Sequence, residues 1–505
     1  MAPRHQALAS AVALALAALP GAAAAMDLIQ AYRDASAIDP VVSSSRSQLA
    51  ATREKVPQAR AGLLPSINAS WTGNRFTVDT SITPSREFST QNYSVALSYP
   101  LLRLQNVETF EQSKLSVAIA EAQLAQAEQD LIVRVSQAYF DVLAAQDNVE
   151  TIRAQKRAIT EQLASAKRNF EVGTATVTDQ QEAQSRYDLA QAQEFVAQND
   201  LEIKRAALAQ LTGRPLPELK VLRPGVTLQP PQPAREAEWT SSARENNFAV
   251  QQAQVATEIS KREIEKQRYG HYPTVDLVGS TSYAKNATTN FTGVTGVNTG
   301  QGVIGLQVNI PIYAGGAIDA RVREAANLRD KSLSDLDNAR RAAEQGARSA
   351  FLGVNSGLAQ VKALEAAERS SQLALDSNLL GYQVGVRINI DVLNAQQQLF
   401  TTRRDLARAR YDVLVNGLRL KSTAAALTQD DLRALDALLT AAPAAGSSTT
   451  ILPTGSISAP TAAPTAAPAA SADRAPVSAV PARSAAAATP ARAAIAAAPA
   501  GPAKK

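Results

Sequence analysis

Two spacings of apolar residues take turns along the 505-residue chain. Through 26–62, Ala, Ser, Arg and Gln are frequent and apolar positions recur three and four apart, which predicts a helix that Pro65 ends. The period then drops to two. Tyr93, Val95, Leu97 and Tyr99 interleave with Asn92, Ser94, Ala96 and Ser98, the pattern of a strand with one apolar face. A weaker partner covers about 66–78, with Ile67, Ala69 and Trp71 turned one way. Helical spacing returns over about 104–170, roughly 100 Å of helix at 1.5 Å per residue. Ordinary globular helices are far shorter, so a coiled coil or a stacked helical assembly is expected. Gly173 stops this helix and another begins near Thr178.

The same order then recurs. Phe170-Glu171-Val172-Gly173 through Asp179 reappears as Tyr382-Gln383-Val384-Gly385 through Asp391, 212 residues later. That offset also superposes Ala138-Tyr139-Phe140 on Ala350-Phe351-Leu352. Tyr99-Pro100-Leu101 corresponds to Ile310-Pro311-Ile312, and Leu64-Pro65-Ser66-Ile67 to Tyr272-Pro273-Thr274-Val275. Four landmarks in one order make a duplicated unit. The second copy supplies a helix over 234–270, strands over 275–283 and near 303–310, a long helix over about 316–382 and a short one over 391–427. Polar loops, 79–90 and 284–301, separate the strands of each pair.

In each unit the two shorter helices together nearly match the long one, so they can stack end to end alongside it. The fold class is therefore mainly α with a small β part, a tall helical wall with strands at one end. Four strands cannot close a barrel, and open edges facing lipid would strand backbone N–H and C=O groups at several kcal/mol each. A barrel needs at least a dimer, and three chains supplying twelve strands leave room for a lumen. A small soluble sheet capping a helical rod is the other reading of the same alternation.

Composition narrows the chemistry. There is no cysteine, hence no disulfide, thiol nucleophile, sulfur-bound zinc or lipid on a cysteine. Of two histidines, His5 falls in a segment expected to be removed, leaving His271. That argues against His-based metal sites and Ser-His-Asp hydrolysis, and neither a catalytic constellation nor a cofactor site is expected. Arg4, the apolar run Ala11–Leu19 and the small residues to Ala25 read as a signal peptide, 1–25, cleaved before Met26. The run is well short of the ~20 residues that span a bilayer, so an exported protein is expected. The tail 441–505 holds ten of the 25 prolines and no aromatic residue, the composition of a disordered segment. Setting both ends aside leaves 45 basic and 45 acidic residues in 26–440. The net charge of +5 thus belongs to the ends, and no nucleic-acid partner is indicated. The organisation read from the chain is a first repeat, 26–213, a Pro-rich linker, 214–233, and a second repeat, 234–440.

From about Met26 to Leu439 the sequence resembles the TolC family of trimeric outer-membrane efflux and secretion ducts. The likeness rests on Asp27-Leu28-Ile29-Gln30-Ala31-Tyr32 leading to Leu63-Leu64-Pro65, and on Gly270-His271-Tyr272-Pro273. Leu306 to Gly316, and Tyr382 to Arg387 continuing through Asp391 and Asn394 to Tyr411, complete it. The resemblance implies a homotrimer: one twelve-stranded barrel in outer-membrane lipid and a helical tunnel through the periplasm. A periplasmic adaptor and an inner-membrane ABC or proton-driven transporter would open its tip for type I secretion or multidrug efflux. The family's gate positions fall on Thr178, Asp179, Tyr382 and Arg387, with Asp179 linked to Tyr382 and Arg387 reaching Thr178 or Asp179 of the next chain. Its two acidic constriction rings fall on Asp391 and Asn394, so three carboxylates replace six. Val172-Gly173-Thr174 and Val384-Gly385-Val386 fall on the tips that meet the adaptor. Local readings stay open beside these. Thr178 to Gln181 fits a capping box, Asp391 suits a helix start, and each glycine suits a left-handed C′ position.

An exported coiled-coil structural or adhesive protein would also explain the long helices, though not the apolar strand faces. The two readings part on extraction. A barrel protein stays in the membrane fraction through salt and carbonate and needs detergent, and release by carbonate would select the structural reading.

Overall fold

The computed structural model describes residues 25–79, 81, 85–287 and 297–440. The expected tail, and the expected signal peptide except Ala25, lie outside these residues.

Helix α1 (Leu28–Ile38) is followed by α2 (Pro40–Arg53) and α3 (Lys55–Ala61). The single helix expected over 26–62 is thus three pieces, for local reasons. Asp39 leaves the helical region (φ −57°, ψ 121°) and caps α2, whose first residue, Pro40, has no N–H to lose there. Pro57 cannot donate to the carbonyl four residues back, which breaks the chain again at Glu54. Strands β1 (Ser66–Val78) and β2 (Arg86–Leu102) lead into α4 (Leu104–Glu171), and α5 (Val177–Thr212) returns along it. A short strand β3 (Val221–Leu222) precedes α6 (Glu236–Asn246) and α7 (Phe248–Arg268). One helix was expected over 234–270. Asn247 divides it, capping α7 and donating across to the Thr423 carbonyl at 2.8 Å. Then come β4 (Thr274–Ala287), β5 (Val297–Asn309), α8 (Ala317–Gln383), α9 (Asn389–Thr423), α10 (Gln429–Asp436) and β6 (Leu439–Thr440). Helix α9 ends short of the expected residue 427 because Ala425 takes a left-handed φ of 53°.

The long helices are coiled-coil partners. Val392, Leu399, Leu406, Val413 and Leu420 of α9 are all buried and seven apart. A strict seven-residue repeat keeps one seam facing a partner only if the helices supercoil left-handedly. On α5 the corresponding seam is Ala183, Ala190 and Ala197, whose small side chains let the backbone approach α4 closely.

The main core forms where the two ends of the folded chain meet the linker. Leu28, Leu131, Val135, Tyr139, Phe140, Leu208, Val415 and Leu432 share one buried cluster. Tyr139 packs edge-on to Phe140 at 5.9 Å, and Phe140 stacks on Tyr411 at 5.7 Å. Each such pair contributes about 0.5–1.5 kcal/mol beyond its burial. Met26 bridges Leu219, β3 pairs with β6, and the Tyr139 hydroxyl lies 3.0 Å from the Met26 carbonyl and 2.9 Å from that of Lys220. Tyr411 donates to the Asp147 carboxylate at 2.7 Å, and burial pushes both of these groups above their ordinary ranges.

The four larger strands form one antiparallel sheet in the order β1-β2-β4-β5. Residues directly opposite one another share a face. Trp71 opposes Tyr93 and Tyr93 opposes Tyr283, giving an aromatic row on the face that also carries Val95, Ile304 and Leu306. All six side chains are exposed. Ser70, Ser94 and Ser282 form the matching row on the opposite, polar face, with 2.7 Å between the first two hydroxyls. From Tyr93 to Leu101 the strand runs roughly 27 Å at about 3.4 Å per residue, close to the apolar band of a membrane barrel once tilted. Strands β1 and β5 each have one edge that pairs with no other described strand. Below the apolar band, Arg103 holds the buried Asp276 carboxylate by two bonds of 2.9 and 2.7 Å, tying the start of α4 to β4.

Asp39 gives a test of the upper helices. Burial opposes its charge, but the Val42 amide at 2.9 Å and the Arg134 guanidinium at 3.1 Å outweigh that, and its carboxyl sits below the ordinary range. A depressed carboxyl stabilises the fold above its unfolded value of ~3.9 and loses that contribution as pH falls through its folded value. Asp39→Asn is expected to lower stability by about 1 kcal/mol at neutral pH. The gap to wild type should close below about pH 4, read from helical circular dichroism melts in detergent. A gap independent of pH would reject the assignment.

Candidate functional site: the helical tip

Two hairpin turns, α4 to α5 and α8 to α9, have the same construction. Gly173 and Gly385 both take φ 77°, and a Cβ at either would meet nothing within 4 Å. The left-handed backbone, not crowding, is what favours glycine there. In the first turn Gly173 N–H donates to the Phe170 carbonyl and Thr174 N–H to that of Asn169, at 3.0 and 2.8 Å. In the second, Gly385 donates to Tyr382 and Val386 to Gly381, at 3.1 and 2.8 Å. These bonds satisfy carbonyls at the helix ends that would otherwise lack partners. Val172, Val384 and Val386 are exposed on the turns, as are Gly173, Thr174 and Gly385.

The residues expected to form the gate sit at this end of the helices, but with other partners than those expected inside one chain. Asp179 closes a capping box with Thr176: the Thr176 hydroxyl lies 3.2 Å from the Asp179 amide, and the Asp179 carboxylate accepts from the Thr176 amide at 3.1 Å. The box expected at Thr178 to Gln181 is therefore two residues earlier, and Thr178 is exposed. The Tyr382 hydroxyl accepts from the Asn169 amide at 3.2 Å rather than donating to Asp179. Arg387 lies 3.6 Å from Asp391, one turn on in its own chain. Asn394 is exposed and accepts from Arg186 of α5 at 3.2 Å.

Four residues at this tip went unnoticed in the sequence. Asn389, 2% exposed, donates to the Asp179 main-chain carbonyl at 3.3 Å and accepts from Gln162 of α4. With Asn169 and Arg186, these amides stitch the two hairpins together. A signal is present for the three amides and not for Arg186. Gln162 and Asn169 are seven apart on a coiled-coil stripe, and Asn389 is a lone amide between Ile388 and Ile390.

Above the tip, α5 and α9 flank α4 to leave a groove of about 1090 Å³. Gln155, Val196, Asp200, Arg404, Arg408 and Asp412 are among its walls. Leu189, Val196 and Ile203 form an exposed stripe at seven-residue spacing on α5. Among the described residues no three His, Cys, Asp or Glu side chains gather as metal ligands. No described helix is long and apolar enough to cross a membrane. The features that organise the molecule are an apolar sheet face, two open edges, coiled coils and a polar tip.

Known proteins share this arrangement. The sequence signature described as outer membrane efflux protein matches residues 31–214 and 239–426, one stretch in each repeat. Outer membrane protein TolC of Escherichia coli is 30% identical over 435 residues, 84% of this chain and 87% of the relative. Proteases secretion protein PrtF of Dickeya chrysanthemi is 31% identical over 437 residues, 84% and 93% of the two chains. The solved fold of the outer membrane protein VceC of Vibrio cholerae superposes with a TM-score of 0.67 at 17% identity, covering 79% of this chain and 96% of that one. With the duplicated helical and strand units matched over most of their length, the chain belongs to the outer membrane efflux protein family, the TolC-type exit ducts of the outer membrane.

Proposed function

We propose that three copies of this chain close a twelve-stranded barrel and, below it, a helical tunnel, which together act as a passive exit duct for type I secretion and efflux. The observation that carries this reading is the sheet, apolar on one exposed face and open at both edges. In lipid such edges must find partners, and copies of the same chain supply them symmetrically. The helices support the same arrangement. On α8, Leu352, Leu373 and Leu380 are exposed with Ala359 and Ala366 between them, all at seven-residue intervals and turned away from the buried Val354 and Val361. That is a second coiled-coil seam, and a neighbouring protomer suits it.

The duct lowers no reaction barrier. Its energy comes from an inner-membrane ABC or proton-driven transporter, recruited through a periplasmic adaptor that meets the turns at Val172-Gly173-Thr174 and Val384-Gly385-Val386. Thr178, Asp179, Tyr382 and Arg387 form the gate. Arg387 is exposed, its one ion pair among the described residues is with Asp391 at 3.6 Å, and it has the reach to engage Thr178 or Asp179 of the next protomer. Cargo as different as proteases and small drugs fits a path that recognises by width and charge, the choice being made by the transporter.

Single-channel recording in planar bilayers tests both parts. Wild-type trimer should give small discrete steps, and Tyr382→Phe/Arg387→Ser markedly larger ones. Equal steps would keep the channel and remove these residues from the gate, whereas no conductance from detergent-extracted trimer would sink the duct. The constriction has its own test. With Asn394 neutral, cation preference rests on Asp391, so Asp391→Asn should bring the reversal potential in a salt gradient toward that of an unselective pore. An unchanged reversal potential would place selectivity elsewhere.

A further inference from the structure

We propose that Arg186 is a cross-brace of the closed tip, a positioning residue that holds the constriction segment of α9 against α5 and must release for the tunnel to widen. This goes beyond the four gate residues above and rests on the reading of the tip as a gate.

The geometry is that of a planar fork across two helices. Arg186 donates through Nη1 to the Gln397 amide oxygen at 2.5 Å and through Nη2 to the Asn394 amide oxygen at 3.2 Å. These acceptors are three apart on α9 and so lie on one face. Its Nε donates to Glu182, one turn away on α5, at 3.0 Å. The guanidinium is therefore aimed by its own helix and spends its two outer nitrogens on the other, a division that a lysine ammonium cannot reproduce. Among the described hydrogen bonds and ion pairs, α5 and α9 are otherwise joined only where Asn389 meets the Asp179 carbonyl. Farther up, the groove separates them. Movement of α9 away from α5 must break the brace.

The chemistry of the acceptors suits a reversible contact. Both are neutral amides, so the brace is charge-assisted without being an ion pair, weaker than Arg with carboxylate. It also occupies the Asn394 amide oxygen, turning the neutral member of the constriction toward α5. Glu182 balances the Arg186 charge, as Arg387 balances Asp391.

The experiment compares full-length wild type, Arg186→Gln, Arg186→Lys, Asn394→Ala and the double variant Arg186→Gln/Asn394→Ala in planar bilayers, with Tyr382→Phe/Arg387→Ser alongside. Loss of the brace should shift the closed-to-open ratio about tenfold, equivalent to about 1.4 kcal/mol. Arg186→Lys should fall between, and the double variant should match Arg186→Gln because both changes remove one interaction. Additive effects would overturn the brace. So would wild-type conductance in Arg186→Gln while Tyr382→Phe/Arg387→Ser opens, an outcome that leaves the gate standing. Wild-type conductance in every variant would overturn both readings. A rise in Arg186→Gln alone would keep the brace and remove the earlier gate assignment. Should Arg186→Gln fail to assemble, Asn394→Ala and Gln397→Ala remove the brace at exposed positions of α9 and are judged by the same rise.

Discussion

A peptide group in hydrocarbon has no water to turn to, and that constraint organises this chain more than any side chain does. Four antiparallel strands satisfy their interior hydrogen bonds and leave the outer edges of β1 and β5 unmatched. Because one face is lined by Trp71, Tyr93, Val95, Ile304 and Leu306, the sheet belongs beside lipid, where unmatched edges are least tolerable. Closure by identical neighbours follows from this, and with it the need for helices whose outer faces meet around the same axis. The exposed seven-residue seam of α8 follows the same requirement at lower cost, since side chains there exchange water for one another without stranding backbone groups.

Between sheet and tip, the belt around Tyr139 and Phe140 has a different task. It pins Met26, Leu219 and Leu439 together, so the start of the first repeat, the linker and the end of the second share one core. Helices that are thin and alanine-rich above and below it are fastened there by large side chains. Stiffness is thus concentrated at the belt. At the tip, small apolar clusters are joined by amides and a guanidinium across the helices, contacts that exchange for water far more readily than buried aromatics do.

Much of this architecture was legible in the spacing of residues. The two long helices appear within a residue or two of their expected limits, because periodicity sustained over so many turns is hard to mimic. The shorter helices were legible in position but not in continuity. Pro40 is compatible with a helix start as well as with a break, and Asn247 reads as an ordinary polar position until the Thr423 carbonyl is seen beside it. The tip was legible as a place and much less as a set of contacts. Asp179 and Tyr382 do lie in the same region, yet a local partner, Thr176, takes the carboxylate, and Asn169 reaches the phenol first. Arg186 and Asn394 are 208 residues apart, and their meeting depends on the rotational phase of two coiled coils, which no local pattern encodes.

The two turn glycines have a consequence of their own. Neither is needed for lack of room, since the space beside each α-carbon is empty. What Gly173 and Gly385 supply is a backbone of inverted handedness at the point where a helix must reverse. The requirement is therefore one of chirality: a residue of mirror-image configuration would sit there unstrained with its methyl group in open space. Achiral glycine meets this need at the least conformational cost, and the duplicated turn has called on it twice.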